Sequence, residues 1–159
     1  WLHGRGADGH DFEPVVPELV DEAWPAVRFV FPHAPVRAVT INGGVRMRAW
    51  YDILGLEIAQ RQDEGGVRES IAFVQGLIAR ENARGVPSER IVVAGFSQGG
   101  AIALASGLRH PERLAGVVAL STYLDAPRSM RLMSPWSMPL WEKPLPRIHV
   151  RARSLPRVS

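Results

Sequence analysis

IVVAGFSQGG, residues 91–100, divides into a short apolar strand (Ile91 to Ala94), a sharp turn carrying Ser97, and the opening of a helix at Gln98. Gly95, Phe96, Ser97, Gln98 and Gly99 fit G-x-S-x-G, in which residues without side chains on either side of a serine let strand and helix approach closely around a strained turn. Such a turn exposes the serine hydroxyl. A hydroxyl is a poor nucleophile until a base removes its proton, so the geometry calls for a histidine within hydrogen-bond reach and an acid behind it. The first backbone N–H groups of the helix have no partner inside it and are free to donate to a developing oxyanion. The plainer alternative is a tight strand-to-helix connection with no chemistry. The flanks favour the nucleophile: Ile91 to Ala94 reads as a buried strand, and Ala101 to Leu108 is rich in helix formers.

Working outward, the 159 residues, 46% hydrophobic and 22% charged, make an ordinary globular domain with enough material for one core. We expect a single domain over 1–159, with a core over 1–124 and an atypical Pro-rich, basic tail over 125–159. The absence of cysteine excludes disulfides and thiolate metal sites and fits a reducing compartment, with the cytoplasm as the expected location. No apolar run is long enough to span a bilayer. Residues 1–125 carry 12 Lys and Arg against 15 Asp and Glu, whereas residues 126–159 carry 7 against 1, so the basicity belongs to the tail. Arginines spread among prolines read as solvated surface, and without an accompanying motif no nucleic-acid partner is expected.

Upstream of the elbow, Trp1 and Leu2 read as the end of a strand, and the missing initiator methionine suggests a fragment whose upstream strands are absent. The loop His3 to Gly9 has glycines at 4, 6 and 9, a spacing that frees backbone N–H groups for an anion nest and suits the second half of an oxyanion hole. A plain connection or a phosphate loop is the alternative, although no acidic ribose partner follows at the expected distance. Asp11 is placed to cap a helix running to about Glu22, with Pro14 and Pro17 making its first turn irregular. Val27 to Phe31 reads as a strand. Val39 to Ile41 and Val45 to Arg48 read as a hairpin about Asn42-Gly43. Trp50, Tyr51 and Asp52 read either as packing or as the wall of an acyl pocket.

Between Gly66 and Ala83 the apolar residues Val67, Ile71, Val74, Leu77 and Ile78 recur at helical spacing, with Gly85 and Pro87 as stop signals. Leu114 to Leu120 reads as a second buried strand. Strand and helix alternate, which predicts an α/β protein with a mostly parallel sheet covered by helices on both faces. In the tail, Pro146 to Val150 reads as one more strand and the rest as loop. No pair of histidines stands at ligand spacing with a nearby carboxylate, so no metal is expected.

WLHGRGADGHDF (1–12), FPHAP (31–35), AWYDI (49–53), VPSERIVVAGFSQGGAIAL (86–104) and HPERLAGVVALSTYL (110–124), in this order, resemble the bacterial carboxylesterases and phospholipases of the α/β-hydrolase fold, a family that includes the acyl-protein thioesterases. The resemblance covers about residues 1–124. It implies a serine hydrolase of short- to medium-chain acyl esters that needs no cofactor, with Ser97 as nucleophile and the Arg5 and Gln98 backbone N–H groups as the oxyanion hole. It implies that His3 and Gly4 shape the loop and that Trp50 and Tyr51 fall in the pocket wall. Lysophospholipase and protein thioesterase are alternatives within the same chemistry, and an impaired fragment serving only as a binding module is the alternative outside it. The fold is expected to be incomplete at both ends, and exposed sheet edges then predict a homo-oligomer.

The chain departs from the family pattern in two places. Arg5 stands where family members carry an apolar residue. The loop after Pro146–Val150, where the family places its triad aspartate, reads Arg151 to Pro156 without a carboxylate, and no matching histidine follows before Ser159. No residue is therefore assigned as acid or base. Ser97, Asp125 and His149 meet the fold's chain order but lie too close together for its usual loops. His3, His10, His33 and His110 have structural readings: loop hydrogen bonding, helix entry, turn packing and helix end.

Overall fold

A computed structural model describes residues 1–55 and 63–122. Its centre is a parallel pair, β3 (Val92–Phe96) and β4 (Gly116–Leu120), in register from Val92 opposite Gly116 to Phe96 opposite Leu120. Leu2 extends the pairing on the other side of β3: its N–H donates to the Ala94 carbonyl at 2.8 Å and its carbonyl accepts the Phe96 N–H at 3.0 Å. This contact sets the loop after Leu2 beside the end of β3, where Ser97 begins the turn.

Two helices stack beside the pair, the shorter directly on it and the longer on the shorter. The longer, α2 (Glu64–Ala83), starts at Asp63, whose carboxylate accepts the Gly66 N–H at 2.9 Å, and it buries Val67, Ser70, Val74 and Ile78. That spacing is the apolar stripe read from the sequence, with Ile71 and Leu77 half-buried at its margins. The shorter helix, α3 (Gln98–Gly107), is buried along most of its length, from Gln98 to Ala103 and again at Ala105 and Ser106. It packs on the Val93, Gly95 and Val117 face of the pair, so closely that a side chain at Gly107 would overlap Val117. The opposite face carries Val92, Phe96, Val118 and Leu120, of which Val92 is 54% exposed, and Phe12 packs there against Phe96 with ring centres 5.7 Å apart. Among the described residues, no helix is long and apolar enough to cross a membrane.

A separate antiparallel hairpin joins β1 (Val36–Val39) to β2 (Val45–Arg48). The sequence reading placed its first strand at Val39 to Ile41, three residues too late. Thr40 to Asn42 instead forms a 3-10 turn, because Asp52 accepts both the Thr40 N–H (2.7 Å) and the Thr40 hydroxyl (2.5 Å) and takes them out of the ladder. Gly43 and Gly44 then close the loop with φ of 66° and 77°, a conformation that favours glycine.

The helix read from Asp11 to Glu22 is a 3-10 segment (Gly9–Val15) followed by one turn, α1 (Val16–Leu19). Its cap is Asp8, which accepts the His10 N–H, while Asp11 is the reciprocal partner that accepts the Asp8 N–H; Pro14 and Pro17 lack the N–H groups that a regular helix would use. Val27 to Phe31 forms no strand, although Phe29 and Phe31 stack on each other. A ladder needs a neighbour, and the only backbone bond joining this stretch to another among the described residues is from the Trp1 nitrogen to the Val30 carbonyl at 2.7 Å. Pro146–Val150 lies outside the described residues.

Candidate active site

Ser97 adopts φ 52° and ψ −118°, a region that residues with a Cβ avoid at a cost of about 1–3 kcal/mol. The neighbours hold it there. A Cβ on Gly95 would collide with the Gly99 backbone, and a Cβ on Gly99 would collide with the Leu2 and His3 carbonyls, so strand, turn and loop touch backbone to backbone. From β4's side, the Leu120 carbonyl accepts the Ser97 N–H at 2.8 Å and the Thr122 hydroxyl donates to the Ser97 carbonyl at 2.7 Å. All hydrogen bonds of Ser97 among the described residues run through its backbone. Its side chain lines an open cavity of about 340 Å³ with Gly4, Arg5, Ala7, Asp11, Phe12 and Phe96.

The glycine-rich loop reaches this cavity because its backbone is pinned at intervals. Gly6, at φ 78°, donates to the Arg48 carbonyl at 2.8 Å, and the Ala7 N–H returns to the Gly4 carbonyl at 3.3 Å. Arg5, between them, is exposed, and its guanidinium donates to the Asn42 side-chain oxygen at 2.7 Å. Gln98 begins α3, so its N–H has no carbonyl to meet inside the helix.

Of the four residues expected to form the pocket, Gly4 lines this cavity, while His3, Trp50 and Tyr51 lie behind it, each about 1% exposed. The Trp50 and Tyr51 backbone groups and the Trp50 indole are engaged there. The Gln98 carboxamide accepts the Trp50 N–H at 2.8 Å and donates to the Tyr51 carbonyl at 2.7 Å. The Trp50 indole donates to the His3 carbonyl at 2.9 Å, and the Ser70 hydroxyl donates to the Trp50 carbonyl. These residues form the wall's support.

The His3 ring has one arrangement that satisfies both nitrogens: Nδ1–H donates to the Gly4 carbonyl at 2.7 Å, and Nε2 accepts the Ala34 N–H at 2.9 Å. That is the neutral form, and burial lowers its pKa below 6.5 in agreement. His10 is exposed beside Glu13, which raises its pKa, and the Asp8 carboxyl is held below its usual range by the His10 N–H. His33 Nδ1 accepts the Gly9 N–H at 3.1 Å.

A second serine, histidine and carboxylate meet at the other end of β3. Ser88 donates to Glu112 at 2.5 Å, with His110 Nε2 at 3.4 Å, and His110 Nδ1 donates to the Gln75 side-chain oxygen at 2.5 Å. Ser88 is completely buried. Asp125 and His149 lie outside the described residues. Among the described residues, no group of three metal-ligating side chains converges.

The sequence reading passed over Asp11, Phe12 and Phe96 as cavity residues. Phe96 was legible as the residue before Ser97. Asp11 and Phe12 were hidden because their placement depends on the Asp8 cap, which turns the chain back over the end of the sheet.

The sequence model of the phospholipase/carboxylesterase family matches residues 1–149, past the Leu124 limit read from the motifs. Acyl-protein thioesterase 1 of Neurospora crassa is 40% identical over 134 residues, 78% of this chain and 53% of that protein. Its counterpart in Cryptococcus neoformans is 42% identical over 127 residues, with the same coverage. The chain thus spans about half the length of the curated relatives it matches. Among solved structures, Arabidopsis thaliana SOBER1 superposes with a TM-score of 0.79 at 34% identity, covering 85% of this chain and 65% of that one. Zea mays acyl-protein thioesterase 2 superposes with a TM-score of 0.66 at 29% identity, covering 82% and 58%.

Proposed function

Because the chain belongs to the phospholipase/carboxylesterase family and has its α/β-hydrolase fold, we propose that it is a serine carboxylesterase that hydrolyses short- to medium-chain acyl esters through an acyl-enzyme on Ser97. The observation that supports this most is the strained Ser97 backbone beside an open cavity, since such strain persists only where its surroundings enforce it. In this reading the Ser97 oxygen attacks the ester carbonyl as its proton passes to a general base. The Arg5 and Gln98 N–H groups receive the negative charge that develops on the carbonyl oxygen. Loss of one such donor typically lowers kcat about 10²–10³-fold. The alcohol then departs with a proton, and water releases the acid by the same steps in reverse order.

The names of the relatives extend the proposal to acyl-protein thioesters, lysophospholipids are the alternative that the sequence resemblance implies, and chain-length preference separates these substrates from small esters. A second reading, a binding module with impaired catalysis, is favoured by the engagement of His3, His10, His33 and His110 with other partners. Hydrolysis of p-nitrophenyl butyrate separates the two. Turnover that disappears in Ser97→Ala supports the esterase; turnover that survives the substitution ends that assignment, and binding without turnover leaves the module.

A further inference from the structure

Two charged side chains line the cavity beside Ser97, and they differ in what surrounds them. The Asp11 carboxylate accepts the Asp8 N–H at 2.9 Å as part of the cap of the segment that follows. The Arg5 guanidinium meets a neutral acceptor, the Asn42 carboxamide, and takes no part in the ion pairs among the described residues. A carboxamide uses one of several guanidinium donors and brings no charge of its own to the guanidinium. The remaining walls, Phe12 and Phe96, are aromatic.

We propose that Arg5 determines specificity by selecting esters that carry a single negative charge on the part projecting from the cavity. This rests on the reading of the Ser97 cavity as the ester site. The aromatic walls suit the acyl chain, and Arg5, an exposed lining residue, is open to the part of the ester left in solvent. The group is an oxyanion, because a guanidinium donates paired N–H groups to carboxylate and phosphate alike. It is a monoanion, because a second negative charge in this cavity would meet Asp11. A carboxylate and a phosphodiester both satisfy this description.

Binding of non-hydrolysable amides to the unaltered chain tests the inference without any need for turnover. The probes are 4-(butanoylamino)benzoate, 4-(butanoylamino)phenyl methyl phosphate and the neutral 4-(butanoylamino)benzamide, titrated by NMR. At least one anionic probe should bind about three- to fivefold tighter than the neutral one, the size of effect that one exposed charge pair supports. The ratio should approach one in Arg5→Leu, and in the unaltered chain it should shrink as salt rises toward about 1 M. Whichever anion gains more identifies the group. Equal affinities, binding of none of the probes, a ratio that survives Arg5→Leu or a ratio indifferent to salt would overturn the inference. The fate of p-nitrophenyl butyrate in Ser97→Ala bears on the esterase reading alone and leaves this ratio unaffected.

Discussion

Two serines sit at opposite ends of β3, and the one with the more complete set of partners is the less suited to chemistry. Ser88 has a histidine and a carboxylate beside it, yet its hydroxyl gives its proton directly to Glu112, and it is sealed from solvent. Its backbone is an ordinary 3-10 turn. Ser97 has a forced backbone, a cavity in front of it, and a helix N-terminus and glycine-rich loop on either side. What distinguishes them is presentation. At the Ser88 end the polar groups satisfy one another and tie α2 to the far end of α3, through Gln75 bonds to His110 and the Ser106 carbonyl. At the Ser97 end the backbone is satisfied and the side chain is held out.

Exchanging each serine for alanine probes this contrast, and the largest effect should be on rate. Ser97→Ala is expected to abolish Ser97-dependent ester turnover, and Ser88→Ala to leave the rate unchanged; a comparable loss from both would erase the distinction. Next in size is the packing around the presented serine. Gly99→Ala forces a methyl group onto the Leu2 and His3 carbonyls and should destabilise the fold by about 3 kcal/mol, read from urea unfolding. A loss well under 1 kcal/mol would show that the loop can retreat from the turn. Ser88→Ala should be milder, about 1 kcal/mol, because the exposed Glu112 exchanges its lost partner for water.

The smallest effect concerns the histidine behind the presented serine. Burial lowers the His3 pKa below its unfolded value of 6.5, so the unfolded chain takes the proton more readily than the folded one. The stability from neutral His3 is complete above pH 6.5 and declines as pH falls below it. His10, raised by Glu13, has the opposite sign, but it is fully exposed and screened by solvent. The urea midpoint should therefore fall between about pH 7.5 and pH 5, and fall less in His3→Gln. A midpoint that rises on acidification, or an unchanged slope in His3→Gln, would contradict this account.

The elbow was legible in the sequence because its requirements are local: positions 95 and 99 tolerate no side-chain atom, and ten residues carry the whole pattern. α2 was legible for the same reason, its buried stripe being periodic within one element. The misreadings share a different cause. FVF at 29–31 is made of the aromatic and β-branched residues that strands favour, but a strand also needs a neighbour. Asn42-Gly43 promises a tight turn, but Asp52, ten residues beyond Asn42, redirects Thr40. Asp11 has the chemistry of a cap, but Asp8 takes the position and Asp11 closes the box. Packing was one of the two readings of Trp50 and Tyr51, but its partner was invisible, because it is the Gln98 side chain, 48 positions from Trp50. Acid and base have no counterpart among the described residues, and no local pattern could supply them.

The Gln98 carboxamide behaves as a detached peptide group, offering one donor and one acceptor to the 50–51 backbone. Trp50 in turn grips the loop through the His3 carbonyl, and that loop's carbonyls crowd Gly99, one residue beyond Gln98. The contacts form a closed ring, so the first turn of α3 cannot tilt without dragging an indole and a glycine loop along with it. Pressure on any one member reaches all three, and the aperture at Ser97 should widen or narrow as a unit, like the jaws of a single chuck.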